Sequence, residues 1–386
     1  MTKCIKDMIQ KAEHKNMIII VGGGLAGLAC ALHLRKAGFE VTLIEKTKYP
    51  HHKVCGEYIS NEVLPYLQWL DVDPLSLEPA LIKKLVVSSN TGKTIACDLP
   101  LGGFGLSRYE LDNLLYQKAL QNGCNLITDR VTDITFKDNE FEVSTDTHGI
   151  LKSHIVIGAY GKRSAIDQKL SRPFISKKSP WLAVKAHYTG DFPDDLVALH
   201  NFKGGYCGVS KVEHNRINIC YLADYNSFKA YKNIRDFQEN VLCKNPHLRK
   251  IFDNSTALFE HPLTISQISF EKKEALHDHI LMIGDTAGLI HPLCGNGMAM
   301  AIHSAKICAE LIIAYLNNKI PSRVLLEQEY VKTWNKNFKT RLLMGRFLSE
   351  MIRKEKLFGP MQQLLVNFPS ALPLIVKMTH GKPILC

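Results

Sequence analysis

Residues 17–21 (MIIIV) run straight into Gly22-Gly23-Gly24-Leu25-Ala26-Gly27. This puts G-x-G-x-x-G at Gly22, Gly24 and Gly27, followed by a stretch, residues 25–37, whose Leu28, Leu32 and Leu34 recur at helical spacing. Gly38 is a natural helix stop, and residues 40–44 (EVTLI) read as a second strand ending at Glu45. A short continuous apolar run suits a strand buried on both faces of a parallel sheet, so the first 45 residues read β-α-β. Glycine serves three ends in such a loop: a tight strand-to-helix turn, close approach of a pyrophosphate to the backbone, and close helix–strand packing. The helix N-terminus then offers unpaired N–H groups and a positive dipole end to the diphosphate. Glu45 stands 18 residues beyond Gly27, with Lys46 next to it. A carboxylate there accepts hydrogen bonds from both ribose hydroxyls of an adenosine and repels a 2′-phosphate, which points to FAD or NAD rather than NADP. The motif does not choose between those two.

The rest of the chain supports a mixed α/β protein. Residues 81–88, 125–128, 131–136, 141–145 and 155–158 read as strands, and residues 108–123 (RYELDNLLYQKALQNG) as an amphipathic helix. Residues 181–188, 196–202, 205–209 and 217–222 are apolar or alternating runs of sheet type. Residues 233–242 read as a helix and 276–283 as another buried strand. A long helix is expected from about Met298 to Leu316, and a mainly helical tail from Ser322 to Pro369. The expected organisation is a Rossmann-like dinucleotide-binding domain built from discontinuous segments (17–60, 100–166 and 275–318). A mostly antiparallel substrate domain (61–99 and 167–274), a C-terminal helical region (319–386) and an N-terminal extension (1–16) complete it.

Charge narrows the partners. The 386 residues carry 48 Lys+Arg against 37 Asp+Glu, a net of +11. Residues 319–386 hold 12 Lys/Arg against 4 Glu, so +8 sits in the tail and +3 in the other 318 residues. A nucleic-acid binder would line a groove with its charge, so none is expected as a partner. The 11 Cys form no C-x-x-C pair, and the 16 His lack a convincing set of companion ligands, so no metal is expected. There is no G-x-S-x-G elbow for a serine nucleophile. Free thiols and a polar, mixed-charge N-terminus fit a cytoplasmic protein. No stretch reads as a spanning helix, because the two longest charge-free runs, 286–305 and 357–376, are broken by glycines and prolines.

A second glycine turn lies about 260 residues after the first. Residues 281–288 (LMIGDTAG) end the late strand with Gly284 and Asp285, and Pro292, Gly295, Asn296, Gly297 and Met298 lead into the long helix. The two segments together resemble the FAD-binding proteins of the p-hydroxybenzoate hydroxylase fold, which carry G-x-G-x-x-G early and G-D-A-x…P-x-x-G-x-G late. The resemblance implies that Asp285 bonds a ribitol hydroxyl and that Pro292 lies near the isoalloxazine. It also implies that Gly295, Asn296, Gly297 and Met298 set backbone N–H groups and a helix N-terminus against the flavin N1/O2 side, where reduced flavin is anionic. Arg108, in Ser-Arg-x-x-Leu-Asp, sits where family members have an arginine near the diphosphate. Lys53, Cys55 and Gly56 occupy the family's K-x-C-G segment beside the flavin. Gly161 and Ser164 keep the pattern of the G-A-D-G-x-x-S stretch, but Tyr160 replaces its Asp, a residue tied to FAD and NAD(P)H contacts in hydroxylases.

Ala287-Gly288 and the K-x-C-G segment resemble the geranylgeranyl reductase and flavin-dependent dehydrogenase branch. That branch's Y-x-W-x-F-P motif is only partly echoed at Tyr206, where Gly208 and Ser210 replace two aromatics, and the halogenase signature W-x-W-x-I-P is absent. The resemblance implies an FAD-dependent oxidoreductase acting on a hydrophobic small molecule, with reduction or dehydrogenation through flavin N5 preferred. An FAD-dependent NAD(P)H monooxygenase working through a C4a-hydroperoxide is the alternative, and a flavin-free lipid carrier or escort is the alternative of another class. No second Rossmann unit is visible, so NADH or NADPH would dock in a surface groove as electron donor. Cys55, Tyr206 and His291 are the candidate catalytic residues by expected proximity to the ring.

The basic tail has two open readings. In residues 340–356, Leu342, Leu343, Phe347, Leu348, Met351 and Ile352 form one face, with Arg341, Arg346, Arg353 and Lys354 beside or opposite it; Phe358, Leu364, Leu365, Phe368 and Leu372 follow. One reading is a helical cap with a solvated basic face, the other a peripheral contact with an anionic membrane surface.

Overall fold

The computed structural model describes residues 18–353 and 371–386. The N-terminal extension and, in the tail, Lys354, Phe358, Leu364, Leu365 and Phe368 lie outside the described residues, as do the side chains of Met351, Ile352 and Arg353.

Ile18–Val21 forms the central strand of a six-stranded sheet and is buried throughout. It pairs in parallel with Val41–Glu45 on one side and Ile155–Gly158 on the other. Asn125–Thr128 extends the first side and Ile280–Met282 the second, both in parallel. Ile18, Ile19 and Ile20 have no exposed surface; each fully buried side chain of this size stabilises the fold by about 1.5–3 kcal/mol. Helix Leu25–Lys36 and helix Gly297–Leu316 pack on this sheet and on each other in one continuous core.

The expected strand over residues 276–283 is a hairpin. Leu276–His277 turns back on Ile280–Met282 through Asp278 and His279, both with positive φ (46° and 64°). The apolar run hid the turn because neither residue is glycine; the left-handed pair is the geometry of a two-residue hairpin turn.

A nine-stranded, mainly antiparallel sheet forms the second layer. Its order is Ser255–Ala257, Trp181–Gly190, Ile217–Asp224, Gly205–Lys211, Leu196–Phe202, Ala80–Ser88, Thr94–Gly105 and Tyr58–Ser60, with Leu263–Ser266 also on Trp181–Gly190. One pair, Leu196–Phe202 with Ala80–Ser88, is parallel. Thr94–Gly105 escaped the sequence pattern because Pro100, Gly102 and Gly103 interrupt it. Gly105 is required there: a Cβ would lie 1.9 Å from the Lys211 carbonyl oxygen. Residues 131–153 form a separate three-stranded sheet.

Helix Arg323–Arg353 and helix Ala371–Thr379 build the C-terminal region. Its expected apolar face divides. Leu348 is buried and Leu342 packs over Gly288, whereas Leu343 and Phe347 are exposed. Arg341 turns inward toward Glu62. Among the described residues one helix, Gly297–Leu316, is long and apolar enough by length and composition to cross a membrane; more than half of its most apolar window is buried in the protein.

Candidate functional site

The two glycine turns meet. Gly284 has φ +59°, and a Cβ on it would lie 2.9 Å from the Ala26 Cβ in the first turn of helix Leu25–Lys36. Its N–H is fixed by Ser304 Oγ at 2.8 Å. Gly22 has φ +108°, and a Cβ there would strike the Ala159 carbonyl at 2.4 Å. Gly27 packs so closely that a Cβ would sit 2.0 Å from the Gly22 carbonyl oxygen. Gly22 and Gly27 are therefore demanded by backbone neighbours, whereas at Gly24 a Cβ would meet only the Arg108 side chain, at 3.7 Å.

The helices that start at these turns share an uncommon feature. Helix Leu25–Lys36 begins at Gly24, and Gly297–Leu316 at Asn296; neither has a side-chain cap or an acidic residue in its first turn. Several other helices are capped by side chains, as Arg108–Gln121 is by Ser107 and Ala165–Lys169 by Ser164 with Asp167, although Leu64–Trp69 also lacks such a cap. A helix start left without a cap keeps its first-turn N–H groups for an outside acceptor. Leu25 and Ala26 lie in the first of these turns and Gly297 and Met298 in the second.

Arg108 lies over the first loop, its Nη2 3.7 Å from where a Gly24 Cβ would be. Asp112 holds it with two hydrogen bonds of 2.7 and 2.8 Å and also accepts from Lys53 Nζ at 2.8 Å. Burial alone would raise the Asp112 carboxyl, but the Arg108 and Lys53 charges hold it below the usual range. Glu45 accepts from Gly23 N at 2.7 Å and from Thr47 N at 3.1 Å. It stands at the edge of a cavity of about 330 Å³, bordered also by Gly22, Lys46, Arg130, Tyr160 and Arg163. Tyr49, which sequence reasoning missed, donates its hydroxyl to the Gly23 carbonyl and stacks on Tyr116.

The second loop is clamped by two buried cations. Arg172 Nη1 donates to the Thr286 carbonyl and to Asp167, both at 2.9 Å. Lys273 Nζ donates to the Asp285 carbonyl at 2.8 Å and the Lys162 carbonyl at 2.7 Å. Burial pulls the Lys273 ammonium down to about 8, against the opposing charges of Asp167 and Asp285. Gly161 (φ +88°) joins this loop through its N–H to Thr286 Oγ1 at 2.7 Å, and the space where its Cβ would be is open. Asp285 is half-buried, and its carboxylate has no hydrogen-bond partner among the described residues.

The K-x-C-G segment is drawn to the same place. Cys55 Sγ lies 3.6 Å from Met298 Sδ at the start of the long helix. Gly56 is exposed and would meet nothing with a Cβ. Behind it Glu57, fully buried, accepts from Arg108 N (2.8 Å), Lys185 Nζ (2.7 Å) and His187 Nε2 (2.7 Å). No sequence signal marked Lys185 or His187, which lie 128 and 130 residues from Glu57.

Of the three candidate catalytic residues, Tyr206 and His291 come together and Cys55 approaches from the flank. The Tyr206 and His291 rings are 5.8 Å apart, and Phe270 and Trp181 close the box around His291 at 4.6 and 5.8 Å. Val54 packs on the same aromatic cluster. Burial pushes the Tyr206 hydroxyl well above its ordinary value and the His291 imidazole down to about 3, so both are neutral at physiological pH. His291 Nε2 is buried without a partner among the described residues. Trp181 and Phe270 also line a second cavity of about 310 Å³, with Ser269, Arg346 and Ser349. Pro292 is exposed at the start of the Pro292–Cys294 turn. No group of three or more potential metal ligands occurs among the described residues.

These features fit a dinucleotide flavin: glycines at Gly22, Gly27 and Gly284 where a Cβ would clash, two uncapped helix starts, the Glu45 carboxylate at the end of the second strand and a largely buried arginine over the loop. Comparison with known proteins agrees. A family model described as an FAD binding domain matches residues 15–330. Geranylgeranyl diphosphate reductase of Synechocystis sp. is 26% identical over 355 residues, covering 83% of this chain and 81% of that protein. Ubiquinone hydroxylase UbiM of Neisseria meningitidis is 22% identical over 400 residues, covering 94% and 84%. The solved structure of flavin-dependent brominase Bmp2 has a TM-score of 0.76 at 17% identity, over 94% of this chain and 93% of that one, a likeness of fold alone. The fold does not select among such chemistries.

Proposed function

This chain belongs to the FAD-binding-domain family and is an FAD-dependent oxidoreductase; from that premise we propose that it reduces or dehydrogenates a hydrophobic small molecule. Bound FAD supplies hydride transfer at N5. In this reading the N–H groups at Leu25 and Ala26 and the Arg108 guanidinium hold the diphosphate, Glu45 orients the adenosine ribose, and Asp285 takes a ribitol hydroxyl. The 295–298 turn presents its helix start to the pyrimidine edge, where negative charge gathers on reduction.

The observation that carries the substrate class is the aromatic box. Trp181, Tyr206 and Phe270, all buried, surround a neutral His291, a setting that favours an apolar group. The adjoining cavity of about 310 Å³ is reached by Trp181 and Phe270 and is otherwise lined mainly by charged and polar side chains such as Lys177, Glu271 and Arg346. The Tyr206 hydroxyl, kept protonated by burial, is the preferred hydrogen-bond donor to the substrate, with the Cys55 thiol as the second candidate. NADH or NADPH is the proposed donor. The test is anaerobic reduction of the flavin with each nucleotide, followed by mixing with prenyl alkenes. Reoxidation by an alkene without oxygen supports the reading. Reoxidation only by oxygen, with hydroxylated product, overturns it in favour of monooxygenation, the reading that likeness to the ubiquinone hydroxylase favours.

A further inference from the structure

We propose that Glu62 is a positioning residue of the flavin site: it fastens the chain's own C-terminal residues 379–384 against the 295–298 turn, so that the end of the chain forms one wall of the cradle. The inference rests on the FAD reading above and concerns a part of the chain that neither glycine motif includes.

Glu62 is fully buried in the short helical turn Asn61–Val63 that follows strand Tyr58–Ser60. Its carboxylate joins three remote parts of the chain. It accepts from the Gly381 N–H, from Asn296 Nδ2 at 3.4 Å, and stands 3.8 Å from Arg341 Nη1. Its backbone carbonyl takes the Ile384 N–H at 2.8 Å, and Ile384 is buried in the main core. The strap is thus pinned at both ends by one residue. Just ahead of the first pin, His380 reaches the flavin-facing turn: a Cβ on Gly295 would lie 3.9 Å from His380 Cε1 and 3.5 Å from the Tyr58 ring. Upstream, helix Ala371–Thr379 anchors the strap by burying Leu372 and Val376 against Tyr58, Ile82 and Val197 of the large sheet.

The polar atoms of this cluster do not complete one another's hydrogen bonds, although Glu62 Oε1 and Arg341 Nη1 face each other as an ion pair at 3.8 Å. Glu62 Oε1, Asn296 Oδ1, Arg341 Nη1 and His380 Nε2 are all buried without a hydrogen-bond partner among the described residues. Native interiors leave few such groups, and each costs free energy unless a ligand or ordered water meets it. Four of them gathered beside an uncapped helix start mark a surface built to face a polar edge. The pyrimidine edge of a flavin, with alternating acceptors and a donor, has that chemistry.

Two variants outside the glycine turns test the role. Glu62→Gln keeps the shape and one acceptor but removes the charge facing Arg341. Gly381→Ala puts a Cβ 2.6 Å from both Glu62 Oε2 and Arg341 Nη2 and wedges the strap off. The readouts are the FAD dissociation constant, the visible spectrum and midpoint potential of the bound flavin, and the denaturant midpoint. We expect both variants to bind FAD roughly tenfold more weakly, the scale of one charged hydrogen bond, and to shift the flavin potential. If both fold and bind FAD with wild-type affinity and potential, or lose only stability, the strap is merely structural and the inference is overturned. Should Glu62→Gln not fold, Gly381→Ala alone decides. A wild-type protein that binds no FAD would sink the FAD reading first, and this inference with it.

Discussion

Glu57 shows how much depends on single side chains that no motif contains. It lies in a left-handed backbone conformation (φ 55°) and gathers a lysine, a histidine and a helix-start N–H in a space without exposed surface. Removing the carboxylate leaves the Lys185 charge buried and unpaired. Glu57→Ala is therefore expected to cost about 3–5 kcal/mol of unfolding free energy, read by urea denaturation. Burial works to raise the Glu57 carboxyl, but the hydrogen bond from His187 and the Lys185 charge win and hold it below its ordinary value. Its contribution is then present above the unfolded value and disappears as acid carries the pH down through the folded one. Lys273 works in the opposite direction. Its folded value of about 8 lies below the unfolded 10.5, so between these the unfolded chain binds more protons. Stability from this group rises with pH across that window. The difference between wild type and Lys273→Met in denaturant midpoint should therefore change between pH 7 and pH 10, and a pH-independent difference would contradict the assignment.

At the scale of elements, the meeting of Gly284 with Ala26 holds the two halves of the cradle together. Gly284→Ala combines a positive φ with a 2.9 Å contact. It should cost about 1–3 kcal/mol and weaken FAD retention during gel filtration, whereas a similar change at Gly38, which has open space around it, should leave retention intact. Much of this level was legible. The β-α-β start, the Arg108–Gln121 helix and five strands of the large sheet follow from the hydrophobic pattern alone. What periodicity could not show was closure. The hairpin at Asp278 and His279 turns on two non-glycine residues, and Thr94–Gly105 carries its glycines for close backbone approach rather than for turns. The Asn245 cap and Pro246 that open helix Pro246–Asp253 were a readable signal that was passed over. The Glu57 and Glu62 clusters join residues far apart in sequence, and such contacts leave no local pattern.

For the molecule as a whole, a parallel nucleotide layer and a large antiparallel layer face each other across the 53–57 segment, and the C-terminal helices close one side. The apolar face that the membrane reading would leave free is half-used internally, through Leu342, Leu348 and the inward Arg341, as the helical-cap reading requires. That arrangement encloses the aromatic box and makes the cradle a product of both ends of the chain. The central claim is that this cradle holds one FAD. The direct measurement is the absorption spectrum of the purified protein, followed by titration of flavin-stripped protein with FAD. One equivalent bound, with an oxidised-flavin band near ~450 nm, is the predicted result; a folded protein that stays colourless and takes up no FAD would contradict it.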